Sequence, residues 1–155
     1  MYDSVYPTRT ARFGVALIDS GVLKLKNRAC AEDMRPIDDS CGCMTCKLYS
    51  RAYLHHLVQR GVPSAAILVT YHNVAYTQGL TRRLRAAIKE QRLPDWVRSY
   101  IKGMFPHRDV PQWAVDALDV AGISLPDDIC DKRPAHDFDR ELRDGAYRPP
   151  GGLPG

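Results

Sequence analysis

Cys41-Gly42-Cys43-Met44-Thr45-Cys46 places three thiols within six residues. They cannot all pair with one another as disulfides. As thiolates they can converge on one ion, because C-x-C-x-x-C spacing lets a tight loop turn every sulfur inward. Zn²⁺ is the usual guest of clustered thiolates completed by an imidazole, bound tetrahedrally with Zn–S near ~2.3 Å and Zn–N near ~2.0 Å. Three plain buried thiols are the bland alternative, and clustering this tight argues against it. The fourth ligand must come from downstream, where His55, His56 and His72 are candidates. His55 and His56 are neighbours on a predicted helix and point in different directions, so both cannot face the loop. His55 lies about two helical turns beyond Cys46. His72 sits on the following helix, which a helical hairpin would return to the loop. Spacing alone leaves both His55 and His72 open.

Several elements must hold these side chains. Val15-Ala16-Leu17-Ile18, the turn Asp19-Ser20-Gly21 and Val22-Leu23-Lys24-Leu25-Lys26 predict a β-hairpin, with Gly21 where its loop needs positive φ. Ahead of it, Pro7 biases Tyr6 toward extended backbone, so residues 3–14 read as a strand end entering a loop. Ala31 to Asp39 reads as a turn or a short helical piece broken at Pro36. From Lys47 the period turns helical, with Tyr49, Ala52, Tyr53, Leu57 and Arg60 on one stripe and Gly61 as terminator. A long second helix follows Pro63, with Ser64 as candidate N-cap and Ile67, Leu68, Tyr71, Val74, Ala75, Gln78, Leu84 and Ile88 as its pattern. It ends near Lys89 to Arg92, cations at the negative end of the helix dipole. Pro94 opens a third helix through Trp96 to Met104, and Trp113 to Ala121 form a fourth, closed by Gly122. Beyond Leu125 the chain is rich in Asp, Arg, Pro and Gly, which predicts disorder.

The chain has 155 residues, of which 45% are hydrophobic. That suits one domain of ordinary size with a core of its own. Five cysteines, three of them crowded together, do not make a secreted disulfide framework and point to a reducing, cytoplasmic setting. No apolar run approaches the ~18 residues of a membrane-spanning helix. The opening residues are neither an apolar signal segment nor a basic presequence. A net charge of +4 and a pI of 8.9 permit an anionic partner such as RNA without requiring one.

Three stretches together carry a family resemblance. Cys41-Gly42-Cys43-Met44-Thr45-Cys46, Ser50-Arg51-Ala52-Tyr53-Leu54-His55-His56-Leu57 and His72-Asn73-Val74-Ala75-Tyr76 resemble the zinc subdomain of tRNA-guanine transglycosylases. Asp3-Ser4-Val5-Tyr6-Pro7-Thr8-Arg9-Thr10-Ala11-Arg12-Phe13-Gly14 resembles the active-site loop of the same family. Thr10-Ala11-Arg12-Phe13-Gly14 is more similar to the eukaryotic queuine tRNA-ribosyltransferase catalytic subunit than to bacterial members, which tend to carry Ser-Gly-Arg-Asn-Gly there. The resemblance is collinear over residues 1–121.

The resemblance implies an α/β fold: the C-terminal fragment of a (β/α)₈ barrel with an inserted zinc-binding subdomain, made of a β-hairpin plus helices, and a disordered C-terminal tail. It divides the chain into residues 1–28 (active-site loop and hairpin), 29–105 (zinc subdomain and long helices), 106–123 (C-terminal helix) and 124–155 (tail). Cys41, Cys43, Cys46 and His72 become the zinc ligands, and four protein ligands make the ion structural. Cys30 and Cys130 stay plain thiols. Asp3 becomes the nucleophile that exchanges guanine for queuine at wobble position 34 of tRNA through a covalent aspartyl–ribose intermediate. Thr8, Arg9, Thr10, Ala11 and Arg12 become the segment that reads the anticodon loop. A dimer with a non-catalytic paralogous subunit is implied, its apolar surface on the second and third helices. Because Met1 falls inside a family motif and a barrel needs about 200 residues or more, the chain is expected to be a fragment, inactive alone. The alternative is a non-catalytic zinc-stabilised module that binds RNA or a partner subunit.

Overall fold

The computed structural model describes residues 3–130. They form a helix-rich α/β arrangement with one small sheet. In chain order the elements are α1 (Tyr6–Arg12), β1 (Val15–Ile18), β2 (Gly21–Lys24), a 3₁₀ turn (Arg28–Cys30), α2 (Met44–Leu48), α3 (Arg51–Gln59), α4 (Pro63–Lys89), α5 (Leu93–Met104) and α6 (Gln112–Val120). The chain divides into two units with the boundary after Met104, and α6 belongs to the second. No helix among the described residues is long and apolar enough to cross a membrane.

The hairpin forms as the sequence predicts. β1 and β2 run antiparallel with Val15 opposite Lys24 and Ile18 opposite Gly21, leaving Asp19 and Ser20 as the turn. Gly21 carries φ +110°, a conformation that a side chain would oppose.

The segment before the hairpin differs from the predicted strand end and loop. Tyr6–Arg12 is helical, with Pro7 in the first turn, where its missing N–H is no loss and its fixed φ suits the helix. Seven residues are too few for a helix to stand alone in water. Tertiary packing supplies the rest: Pro7 and Ala11 are buried, and α1 lies against α4 and β1. Its exit is Gly14 at φ +73°, where a Cβ would lie 2.4 Å from Val58 Cγ1 on α3.

The helix predicted from Lys47 onward is two helices. Tyr49 and Ser50 are extended, and the Ser50 hydroxyl caps α3 by accepting from Tyr53 N at 3.2 Å. A serine that satisfies an orphan N–H favours a new helix start over continuation of the old one. α4 is a single helix of 27 residues, as its length predicts, but Pro63 begins it and Ser64 does not cap it. Its buried positions are Ala65, Val69, His72, Asn73 and Ala87, while Ile67, Tyr71, Val74 and Ile88 of the predicted stripe are exposed. Small and polar residues, which a hydrophobicity count passes over, line the packed side. Gly122, at φ +73°, terminates α6 as predicted.

The core gathers Ala11, Ala16, Leu25, Ile37, Leu54 and Val69 from α1, the hairpin, the loop before α2, α3 and α4. The predicted helical piece lies earlier than expected, at Arg28–Cys30, and residues 33–40 take no regular structure. Arg51 holds that stretch: its guanidinium donates to Pro36 O at 2.8 Å, Ile37 O at 2.9 Å and Asp33 Oδ2 at 3.0 Å. The planar fork suits three acceptors that one ammonium could not meet together.

Order extends past Leu125. Ile123, Leu125, Ile129 and Cys130 are buried, and Asp127–Ile129 form a turn, so apolar burial outweighs the polar composition as far as Cys130. The remainder of the predicted disordered tail, residues 131–155, lies outside the described residues.

Candidate metal centre and the helix beside it

The cysteine loop is entered through a turn in which Asp38 Oδ1 accepts from Ser40 N at 2.8 Å, while Asp38 O accepts from Cys41 N at 3.2 Å. Cys43 is the N-cap of α2, and its sulfur accepts from Cys46 N at 3.4 Å. Thr45, fully buried, donates its hydroxyl to Leu68 O at 2.8 Å and so clips α2 to α4. α4 presents His72, also fully buried, at the same level.

His72 Nδ1 stands 3.2 Å from Cys46 Sγ and 3.7 Å from Cys43 Sγ. One ligand atom from each of Cys41, Cys43, Cys46 and His72 lies within 4.8 Å of all the others. A tetrahedral zinc with the bond lengths above has ligand–ligand edges of about 3.5–3.8 Å, so the donors need only small shifts, His72 and Cys46 slightly apart and any wider pairs inward. His72 Nε2 is 2.8 Å from Leu17 O, and a carbonyl only accepts, so Nε2 carries the proton and Nδ1 turns its lone pair to the sulfurs. Donor type, spacing and tautomer all fit Zn²⁺. With every position taken by protein the ion is structural, and what it supplies is cross-linking of α2 to α4.

This geometry answers the question that spacing leaves open. His55 Nδ1 is spent on Leu25 O at 2.7 Å, His56 is exposed, and neither joins the cluster. Cys30 and Cys130 form no disulfide and lie outside it. Burial pushes the Cys46 thiol far above the ordinary thiol range and raises Cys41 as well. Burial also pushes the His72 imidazole down, against the pull of the Leu17 carbonyl. Metal-free, Cys41, Cys46 and His72 are therefore pushed toward their neutral forms, and a divalent cation must displace the Cys41 and Cys46 thiol protons to bind.

Of the α1 set, Asp3 is exposed just ahead of the helix, and Arg9 and Arg12 are exposed on it. Thr8 is half-buried, its hydroxyl donating to Val5 O at 3.1 Å. Thr10 donates to Tyr6 O at 2.7 Å, and Ala11 is packed in the core. Thr10 and Ala11 thus hold the helix, while Asp3, Arg9 and Arg12 face outward. Among the tyrosines, Tyr49 and Tyr53 stack at 5.3 Å, Tyr76 meets the Tyr100 hydroxyl at 3.2 Å, and Tyr71 is exposed. Beside the metal loop, a cleft of about 600 Å³ runs between Ser40–Cys43 and the α4 residues Tyr71, Tyr76, Arg82 and Arg83. Arg83 is paired with Asp19 at 2.6 Å.

Sequence reasoning missed Asn73, which is fully buried beside His72 and bonds to both α1 and β1. The available signal was an asparagine, a poor former of helix interiors, in mid-helix where it should be costly unless its side chain has work to do. Arg51, with its grip on residues 33–37, was likewise read only as part of a motif.

A hairpin and helices gathered on a saturated Cys₃His centre define a zinc-stabilised subdomain. A family model described as queuine tRNA-ribosyltransferase matches residues 1–106, and the chain belongs to that family. A queuine tRNA-ribosyltransferase of Thermus thermophilus is 44% identical over 122 residues, which are 79% of this chain and 31% of the relative. One of Deinococcus radiodurans is 40% identical over 119 residues, 77% of this chain and 30% of that protein. A queuine tRNA-ribosyltransferase catalytic subunit of Caenorhabditis briggsae is 37% identical over 140 residues, 81% and 35% respectively. The chain thus spans about a third of the length of these relatives.

Proposed function

We propose that this chain supplies the nucleophile and the zinc-braced RNA-facing part of a tRNA base-exchange enzyme. The observation that carries the reading is the collinear family match over residues 1–106, with Asp3 solvent-facing immediately before α1. In this reading an Asp3 oxygen attacks C1′ of the ribose at wobble position 34 of tRNA, and the glycosidic C–N bond to guanine breaks. Guanine leaves with the bonding electrons and takes a proton from an acid outside residues 3–130. The incoming queuine or guanine then attacks C1′ through nitrogen, gives its proton to the conjugate base of that acid, and displaces the Asp3 carboxylate. Two inversions give net retention, the logic of a retaining glycosidase. Arg9 and Arg12, with no hydrogen bond or ion pair among the described residues, are free to meet phosphates or base edges. Thr8 lies with them, and Thr10 and Ala11 set the helix on which they stand.

The same reading completes the chain into a (β/α)₈ barrel acting in the cytoplasm. Residues 1–28 lie at the active site, 29–105 form the zinc subdomain, 106–123 a C-terminal helix and 124–155 a tail. It also gives the enzyme a dimeric form, with a non-catalytic paralogous subunit as partner. The exposure of Ile67 and Tyr71 on α4 supports such an interface. In this reading the acid for the leaving base and the purine pocket lie in the two thirds of the relatives' length that this chain does not span, and their lack removes many orders of magnitude in rate. The purified chain, mixed with guanine-34 tRNA and labelled guanine, gives no exchange above blank. A polypeptide of the relatives' length containing these residues exchanges the base, and Asp3→Asn abolishes it; exchange surviving that substitution would overturn the role of Asp3.

A second reading, a non-catalytic zinc-stabilised RNA-binding or subunit-binding module, is favoured by one observation: all four metal donors lie within this chain. Salt-dependent tRNA binding by the chain, with no exchange at any length of polypeptide, would select it.

A further inference from the structure

Among the described residues β1 has a single neighbouring strand, β2, so its other edge needs partners for its backbone groups. Two adjacent side chains of α4 provide them. His72 Nε2 donates to Leu17 O at 2.8 Å, and Asn73 Oδ1 accepts from Leu17 N at 2.9 Å, so one residue of the strand is gripped at both polar groups. The Asn73 amide nitrogen donates onward to Val15 O at 3.0 Å and Pro7 O at 3.0 Å, with Thr10 Oγ1 3.4 Å away. An unbroken line of polar contacts therefore runs from the metal-facing Nδ1 of His72 through Leu17 and Asn73 into α1. Asn73 is fully buried, where each of these contacts is sheltered from competition by water.

We propose that Asn73 is a positioning residue that makes metal occupancy felt by α1, so that the helix carrying Arg9 and Arg12 holds its place only when the Cys₃His centre is filled. The RNA-facing part of this inference rests on the proposed function; the linkage from metal to α1 does not. The metal brings His72 to a fixed height on α4, His72 and Asn73 fix Leu17, and Asn73 spends its two N–H bonds on β1 and α1. Asparagine suits the position because it offers one acceptor to Leu17 and two donors to the carbonyls. Aspartate keeps the acceptor but sets charged oxygens against Val15 O and Pro7 O.

The test uses the zinc-loaded 155-residue chain, amide hydrogen exchange, and Co²⁺ as a spectroscopic substitute for zinc. Stripping the metal with a chelator speeds exchange in Tyr6–Arg12 about tenfold or more, while Leu93–Met104 changes by less than about threefold. Equal loosening of both helices, or an α1 indifferent to the metal, would overturn the linkage. In Asn73→Asp the thiolate-to-Co²⁺ absorption persists, while α1 exchanges about tenfold faster than in the parent. Loss of the Co²⁺ spectrum in that variant, or α1 protection equal to the parent's, would overturn it as well. The affinity of each protein for a short anticodon stem-loop RNA with guanine at the wobble position is then read. Asn73→Asp weakens it about tenfold. If the parent fails to bind the RNA but shows both exchange effects, the RNA reading falls and the linkage stands.

Discussion

The cysteine loop and helix α1 both lean on α4, yet they spend their chemistry in opposite directions. Around residues 41–46 the reactive groups turn inward: three sulfurs and the His72 nitrogen meet within 4.8 Å and satisfy one another through an ion. On α1 and just ahead of it the charged groups turn outward, with Asp3, Arg9 and Arg12 exposed. The first region completes itself, and its role is structure. The second, in the proposed reading, is a set of functional groups awaiting a partner, held by neighbours packed in the core. A fold that keeps the two apart can let the metal be permanent while the reactive edge stays available.

The largest break in this comparison comes from removing a metal ligand. Structural zinc in small domains contributes about 10–16 kcal/mol of binding free energy, which is also folding free energy. His72→Ala and Cys46→Ser are therefore expected to abolish stoichiometric zinc and to lower the melting temperature of the first unit strongly, with the loss falling on α1, β1 and α2 ahead of α5, whereas Asp3→Asn leaves zinc and melting temperature unchanged. Zinc content measured beside a thermal melt decides it. A melting temperature unchanged in zinc-free His72→Ala would mean that the core alone suffices. Acid acts in the same direction: burial has raised the thiols of Cys41 and Cys46, so protons compete with the metal as pH falls and affinity drops.

The same contrast governs what could be read from the sequence. The metal site was nearly fully legible, because three thiols within six residues have few other uses, and only the choice between His55 and His72 awaited the fold. Helix α1 was misread as strand end and loop, because Pro7 was weighed by its effect on the residue before it. What makes α1 helical is its first-turn position for Pro7 and the burial of Ala11, and burial is a tertiary fact. The stripe of α4 was misplaced for a related reason. Its packed side uses Ala65, His72, Asn73 and Ala87, whose burial comes from size and hydrogen bonding more than hydrophobicity. Ser50, which splits the helix predicted from Lys47 into α2 and α3, was legible as a cap and was passed over.

A smaller effect sharpens the comparison from the side of the loop. Arg51 secures residues 33–37 just before the cysteines, with its side chain only 15% exposed. Arg51→Ala leaves Pro36 O and Ile37 O without their donor, at a cost of about 2–3 kcal/mol. It is expected to lower thermal stability and hasten zinc loss to a chelator, while amide exchange in α1 stays near the parent rate. Arg51→Lys recovers only part, since an ammonium cannot reproduce the fork. Unchanged chelation kinetics would show that the cysteine loop needs no brace on this side.

Weaker still is the expected effect of the two outward arginines on RNA. Arg9→Ala and Arg12→Ala each weaken anticodon-loop binding about tenfold and shallow the salt dependence by about one ion. Stability moves by no more than about 0.5 kcal/mol, because neither side chain has a partner to lose. Filter binding across a salt series, beside thermal melts, tests both halves. A clear fall in stability would place these side chains in the framework and erase the division between inward and outward groups.

The smallest effect is acid sensitivity at Asp33. Its carboxyl is held well below the usual carboxylate range, first by the Arg35 side chain at 2.7 Å and then by the Arg35 backbone N–H, with Arg51 adding to both. The folded value lies below the unfolded one, so the stabilisation is fully present above the ordinary carboxylate pKa. It is lost as pH falls through the depressed value. Between those limits Asp33 stays charged while freely exposed carboxylates protonate, and residues 33–37 stay anchored below pH 4. Carboxyl NMR resonances followed down the acid limb test this. Arg35→Ala should raise the Asp33 midpoint toward normal, the backbone N–H of residue 35 remaining, and Arg51→Ala should raise it less, in keeping with the order of the side-chain contributions. An Asp33 that titrates with the exposed carboxylates in the parent protein would mean that Arg51 holds Pro36 and Ile37 without it.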